Sequence, residues 1–474
     1  MGGLEASIVR ARIFTEDLRF DAQFFRRAYL AEDQALIKHD LWKVGSFAFV
    51  TDGPHGYHEV DENSSIAMLT AKCASNWFAE RDGADTIAKW VDDANKRSSL
   101  AVNDLILSTR GTVGACALVT EEALPANLDQ DVARISMLGS SPFQPLFVLS
   151  YLNSRFGQDH IARHSSGMVQ QGVSLAKVRE IPVPLLSDRM QHRIAETVES
   201  GLRLRRKTRF KQKQAEDMLT AALGLRNWTP PEPLAYSAKS ADVFAAARLD
   251  AQYFMPAKRM VRDALAQLRG KTLGERFLSV RDMFDPKDAP PGTLVRNYDV
   301  TDALQPLLDD EKEPEETDAI GSIKKVFFNG DVAMSRLRAY LREIAVVRTS
   351  GKLPAIVSSE FIVLRPRESK RNKIAPETLL TFLRSAPVQT ILKWCQDGSQ
   401  HPRFSEGDLL SIPVPNSVAD ASPRIEAIVK QGFASRQSAR DLLDSAKRAV
   451  EIAIEDSEAA ALAFLDDAAA EAMP

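Results

Sequence analysis

The chain of 474 residues lacks several features that would announce a function class. Its three cysteines, Cys73, Cys116 and Cys395, are odd in number and far apart. That excludes a disulfide framework and a paired-cysteine zinc motif, and leaves them as small buried apolar residues. No apolar run approaches the ~20 residues needed to cross a bilayer, and the first twenty residues lack the basic-then-apolar order of a signal peptide. The expectation is a cytoplasmic protein without a membrane partner. Catalytic signatures are missing too. Gly270-Lys271-Thr272 resembles the end of a phosphate loop, but Leu265 stands where the earlier glycine belongs. Pro230-Pro231 lies between Thr229 and Glu232, which fails the amino-methyltransferase pattern on both sides, and Glu368-Ser369-Lys370 has no Pro-Asp pair to complete a nuclease motif.

A basic excess is also lacking. The formal charge of -3 does not announce a nucleic-acid binder. Acidic residues nevertheless concentrate in DDEKEPEETD (Asp309 to Asp318) and along Glu451 to Glu471, which leaves the remainder net basic. Both stretches read as solvated, one a loop and the other a helix face. With 44% hydrophobic and 26% charged residues the composition is that of an ordinary globular protein, and length alone allows about three domains.

What the sequence does contain is a duplication. RFDAQFF (Arg19 to Phe25) returns as RLDAQYF (Arg248 to Phe254), NDLILS (Asn103 to Ser108) as GDVAMS (Gly330 to Ser335), and VSLAKVREIPVP (Val173 to Pro184) as FSEGDLLSIPVP (Phe404 to Pro415). The shifts of 229, 227 and 231 are nearly constant and far too long for a solenoid. Each copy runs through short β-rich segments, a helical patch and then IPVP, whose prolines keep the preceding residues extended. A long helix follows. In copy one, Asp188 to Leu223 carries an apolar stripe at Met190, Ile194, Val198, Leu202, Phe210 and Met218. In copy two, Ile425, Ile428, Gly432, Ser435, Ala439, Leu442, Ala446, Ala449 and Ala453 form a heptad seam of small residues that lets a second helix approach closely.

The fold class is therefore α/β, as two mixed α+β heads joined by two long antiparallel helices in a coiled-coil rod. The expected partition is residues 1–187 for the first head, 188–232 for the first helix and linker, 233–422 for the second head, and 423–474 for the second helix and acidic tail. Helices of roughly 35 residues would make a rod of about 50 Å. Duplicated heads at a fixed separation suit a long ligand, and DNA, with its repeat of about 34 Å, is the obvious one.

Reading DNA needs Arg, Lys, Asn or Gln for base edges, and hydroxyls or cations for phosphates. Copy one offers Thr109, Arg110 and Thr112 in STRGT, then Lys96-Arg97 and Gln170-Gln171. Copy two offers Arg336, Arg338 and Tyr340, expected along one strand face, with His401 and Arg403 matching the glutamine pair. RLRRKTRFKQK, between Arg203 and Lys213, reads first as a solvated face of the long helix. GPHGYHE, from Gly53 to Glu59, brings His55, Tyr57 and His58 together. A metal site would need a third ligand from a tightly curled loop, and copy two has no histidine in the corresponding region. A structural turn and a ligand-presenting loop remain the two readings.

The order DGPHG, LTAK, KRS, DLILSTRGTVG, a Gly-Gln turn and IPVP before a long helix, occurring twice, resembles the specificity subunits of type I restriction-modification systems. SSEFIVLRP and FSEGDLLSIPVP resemble the same family. The resemblance implies a non-catalytic subunit of an anti-phage DNA methylation and restriction system. Two target recognition domains would each read one half of a split, asymmetric site on double-stranded DNA. Two methyltransferase subunits and restriction/translocase subunits would dock along the helices. S-adenosylmethionine would belong to the methyltransferase, ATP and Mg to the restriction subunit, and no cofactor or metal to this chain. On this reading His55 and Tyr57 contact DNA. The alternative is a two-headed interaction protein that recruits or blocks another anti-phage effector. The resemblance does not account for the acidic tail, and in copy two it finds no GPHG and an acidic insertion at Asp309 to Asp318.

Overall fold

The computed structural model describes residues 7, 21–56, 58–74, 77–166, 171–226, 228–367 and 374–472. The chain divides into two compact units, residues 1–205 with 437–474 and residues 206–436. The boundary passes through both long helices, so each unit owns a stretch of each.

Unit 1 contains β1 (Leu41–Lys43), β2 (Ala48–Asp52), β3 (Ile66–Leu69), β4 (Trp77–Phe78), β5 (Thr86–Ile87), β6 (Leu105–Ser108), β7 (Cys116–Leu118), β8 (Ala126–Leu128), β9 (Val132–Met137) and β10 (Pro182–Pro184). Five of them form a sheet in the order β2-β9-β6-β7-β4, antiparallel except for the parallel β4·β7 pair. A smaller sheet has the order β5-β3-β8. Leu105 and Leu107 on one face of β6 join the core beneath the helices, while Ile106 on the other joins the core beneath the small sheet. Burial on both faces explains why β6 reads as a continuous apolar run instead of an alternation.

Unit 2 contains β11 (Gly270–Thr272), β12 (Phe277–Val280), β13 (Met283–Phe284), β14 (Leu294–Tyr298), β15 (Leu307–Asp309), β16 (Glu315–Glu316), β17 (Lys324–Val326), β18 (Val332–Ser335), β19 (Ile344–Arg348), β20 (Ala355–Val357), β21 (Phe361–Pro366) and β22 (Pro413–Pro415). Its main sheet, β12-β21-β18-β19-β15, repeats the order and strand directions of unit 1. Its second sheet repeats β5-β3-β8 as β16-β14-β20 and adds β17 and β13. The IPVP segments are extended as expected, each paired antiparallel in a two-stranded ribbon, β1 with β10 and β11 with β22. Gly270 serves that ribbon, because a Cβ there would lie 2.2 Å from the Val414 carbonyl oxygen.

The first long helix spans Asp188–Ala222 and the second Asn416–Glu455. The second starts seven residues before the expected position 423 and carries Pro423 inside it. In unit 1, Met190, Ile194 and Val198 share a core with Leu443, Ala446, Ala449, Val450 and Ala453. Gly201 there admits Leu443 so closely that a Cβ would lie 3.0 Å from its side chain. In unit 2, Thr208 donates to the Gly432 carbonyl at 3.3 Å, and Ala215 and Leu219 share a core with Ile425 and Val429. Small residues do mark the close approach. Phe210 departs from the expected stripe: it is 63% exposed, and the buried face passes through Ala215, Leu219 and Leu223 instead. Phe210 lies twelve residues beyond Val198, and twelve residues advance the side chain 120° past three turns, off the line that Val198 marks.

Both acidic stretches are less solvated than their composition suggests. DDEKEPEETD is no insertion, since β4 to β15, β5 to β16 and β8 to β20 all keep a shift of 229–230. Arg296 pairs with Asp310 at 3.1 Å, Lys312 with Asp302 at 2.9 Å, and Thr317 is buried. The tail forms a terminal helix, Glu458–Ala472, which buries Ala461 and Leu465 in the core of unit 1. Glu458 accepts from the Ser187 backbone N–H at 2.9 Å and from its hydroxyl, at the start of the first long helix.

Candidate nucleic-acid interface

In unit 1 the candidates gather where β2 and β6 end beside the start of β9, since Asp52 pairs with Ala133 and Ser108 with Val132. The GPHG loop leaves β2 there. A Cβ on Gly53 would lie 1.9 Å from the Leu128 carbonyl oxygen, so only glycine allows the chain to pass. Gly56 has φ +101 and open space around it, so its requirement is backbone conformation alone. The loop is thus a tight turn that also displays a side chain: His55 is exposed, with Nε2 3.1 Å from Asp52 Oδ2. Arg97 reaches the other oxygen of Asp52 at 3.5 Å. Among the described residues no group of three His, Cys, Asp or Glu side chains could hold a metal ion.

Arg110 projects from the turn after β6, with Nη1 3.1 Å from Asp131 Oδ1 and its side chain half exposed. Its backbone bridges to Gly172, and Val173 N donates to the Thr109 carbonyl at 3.0 Å, which places exposed Gln171 beside this turn. Thr112 is exposed on the same turn. Two candidates fit less well. Thr109 is buried and cannot reach a ligand. Lys96 is held by Asp92 at 2.7 Å and Asp93 at 2.9 Å, hydrogen bonds that raise its pKa, and the two carboxylates offset its positive charge towards an approaching anion. Tyr57 and Gln170 lie outside the described residues.

Unit 2 builds the same edge with more cations. Its Arg336, Arg338 and Tyr340 do not share a strand face, because β18 stops at Ser335. Arg338 takes a left-handed conformation (φ 44) and Ala339–Leu341 forms a 3-10 turn. The chain reverses there, so period-two alternation ends. Left-handed Gly111 (φ +74) and Gly114 (φ +89) in unit 1 correspond to left-handed Arg338 and Arg342 (φ 52) in a turn one residue longer. A non-glycine residue in that region costs about 1–2 kcal/mol. The turn packs on residues 397–404: Arg338 N donates to the Pro402 carbonyl at 2.8 Å, and Arg338 Nη2 lies 3.1 Å from His401 Nδ1. Tyr340 is exposed beside it.

Arg336 and Arg403 converge on one carboxylate. Arg336 Nε donates to Glu360 Oε2 at 2.9 Å, and Arg403 holds both oxygens, Nη2 to Oε1 at 2.8 Å and Nε to Oε2 at 3.1 Å. Hydrogen bonds from Arg403 first, then from Arg336, bring the Glu360 pKa down to about 2 against its partial burial. Sequence reading missed Glu360 and Arg281. Arg281 directly follows β12, occupies the place of Asp52, is well exposed and pairs with Glu406 at 3.0 Å. The signal was there in the shift of 229 that maps β2 onto β12.

One stretch of 113 residues is 30% identical to the specificity subunit of the type I restriction enzyme EcoBI of Escherichia coli. The chain is similar to a type I specificity subunit. The matched stretch is 24% of this chain and 23% of the curated relative's length. Among solved structures, a type I restriction-modification S subunit from M. genitalium aligns over 90% of this chain and 95% of its own, at 14% identity and a TM-score of 0.36. The HsdS subunit of Thermoanaerobacter tengcongensis aligns over 90% and 96%, at 16% identity and a TM-score of 0.27. No family model matches. Among the described residues, no helix is long and apolar enough to cross a membrane.

Proposed function

We propose that this chain is the DNA-specificity subunit of a type I restriction-modification system. Each unit reads one half of a split, asymmetric site on double-stranded DNA, and methyltransferase and restriction subunits dock on the long helices. The chain performs no chemistry. S-adenosylmethionine, ATP and Mg belong to its partners. The observation that carries this reading is the repeated edge: at equivalent turns of two equivalent sheets, an arginine following the central strand is held by an acid preceding the next, Arg110 by Asp131 and Arg336 by Glu360. Cations held at a sheet edge suit base and phosphate contacts, and their different identities in the two units suit two different half-sites.

Single-molecule mapping of adenine methylation in the host genome, with and without this gene, tests the proposal. A split motif with a fixed gap should lose methylation on deletion, and Arg110→Ala and Arg336→Ala should each degrade recognition of one half only. A map that does not depend on the gene would favour the two-headed interaction protein.

A further inference from the structure

The triad of Arg336, Glu360 and Arg403 is not repeated at the equivalent positions of unit 1, although the backbone around it is. Arg336 N donates to the Glu360 carbonyl at 3.1 Å, and Phe404 N donates to the Arg336 carbonyl at 3.3 Å. In unit 1 the same two bonds join Thr109 N to Asp131 at 2.8 Å and Val173 N to Thr109 at 3.0 Å. The positions are therefore equivalent, but unit 1 has buried Thr109 where unit 2 has Arg336, 43% exposed on its side chain. The acid is retained as Asp131 and Glu360, and the second arginine, Arg403, replaces Gly172.

The roles within the triad are unequal. Arg403 spends Nε and Nη2 on Glu360, and its Nη1 donates to the His401 carbonyl at 3.1 Å. It locks the carboxylate. Arg336 spends only Nε, and its Nη1 and Nη2 have no hydrogen-bond partner among the described residues. With Nε and the backbone both pinned, Nη1 and Nη2 remain as two parallel donors on a side chain that is 43% exposed.

We propose that Glu360 is a positioning residue that holds Arg336 for end-on, bidentate recognition of a guanine in the half-site read by unit 2. This rests on the DNA-specificity reading above. Two parallel donors need two adjacent acceptors. Guanine presents O6 and N7 in the major groove, whereas adenine presents one acceptor and one donor. A phosphate clamp is the poorer use, because Glu360 cancels one of the two guanidinium charges and sits beside any approaching anion. Arginine is required over lysine because only the planar fork transmits the orientation fixed at Nε to both terminal nitrogens.

The test is the same methylation map in hosts carrying Glu360→Gln, Arg403→Lys and Arg336→Ala in the full chain, with chain abundance measured in each. Arg336→Ala identifies the base pair read. Glu360→Gln should keep the split motif and its gap but accept other pairs at that one position, with discrimination against them falling roughly tenfold or more. Arg403→Lys, which keeps the charge and loses the fork, should relax the same position. A purely structural role for Glu360 would lower methylation at all sites alike, and that outcome overturns the proposal. So does unchanged discrimination in both variants, or a relaxed position that is not G·C. Absence of any gene-dependent motif with the wild-type chain would instead overturn the function proposed above.

Discussion

At the scale of residues, glycine has two separable uses in the GPHG turn, and mutation can tell them apart. Gly53 is demanded by space, since backbone of Leu128 and Asp129 fills the volume a Cβ would take. Gly56 is demanded by its positive φ in open surroundings. Each change to alanine should cost about 1–3 kcal/mol. Asparagine tolerates positive φ, so Gly56→Asn should recover most of its loss in urea denaturation, while Gly53→Asn recovers none. At the neighbouring turn, which follows β6 in unit 1, unit 2 keeps Arg338 and Arg342 left-handed where unit 1 has Gly111 and Gly114. Backbone strain retained at a candidate binding edge agrees with a functional demand for those side chains.

At the scale of elements, the acidic terminal helix belongs to the fold of unit 1. Leu465 is 1% exposed within its core, so Leu465→Ala should destabilise unit 1 by about 2–5 kcal/mol in a denaturant titration. The long helices depend on small residues in the same way, and Gly201→Ile, forced against Leu443, should cost about 1–3 kcal/mol in the same measurement. Much at this scale was legible in advance. Both long helices, both IPVP strands and the small-residue seam follow from local periodicity and proline stereochemistry. Phe210 and the run from Arg336 to Tyr340 were misread, because neither the drift of a helical stripe nor a left-handed reversal leaves a periodic signal.

At the scale of the whole molecule, two carboxylates, one in each unit, answer pH with opposite signs. In unit 1, burial first and then a hydrogen bond with the Asp159 carboxyl push Glu32 up to about 8, against the opposing charge of Arg155. A raised acid favours the protonated folded form, so this stability is complete below about pH 4.5 and is lost as pH rises through about 8. In unit 2, Glu360 is depressed to about 2, so its contribution is present above about pH 4.5 and is lost as pH falls through about 2. Hydrogen exchange should show the backbone around Glu32 weakening towards alkaline pH and that around Glu360 towards acid. Glu32→Gln should flatten the first slope and Glu360→Gln the second.

The sequence by itself determined that the chain is duplicated, that each copy ends in IPVP and a long helix, and that arginines follow the same strand in both copies. Those features are local or repeat at a constant shift, so a single chain displays them. Only the tertiary structure decided which candidates meet. Asp52 takes Arg97, Asp131 takes Arg110, and Glu360 joins Arg336 to Arg403 because antiparallel pairing of β2, β6 and β9, and of β12, β18 and β21, gathers at one edge residues about 20 to 45 positions apart. Sequence spacing carries no record of that pairing, which depends on the register of strands and on the loops that return them to one edge.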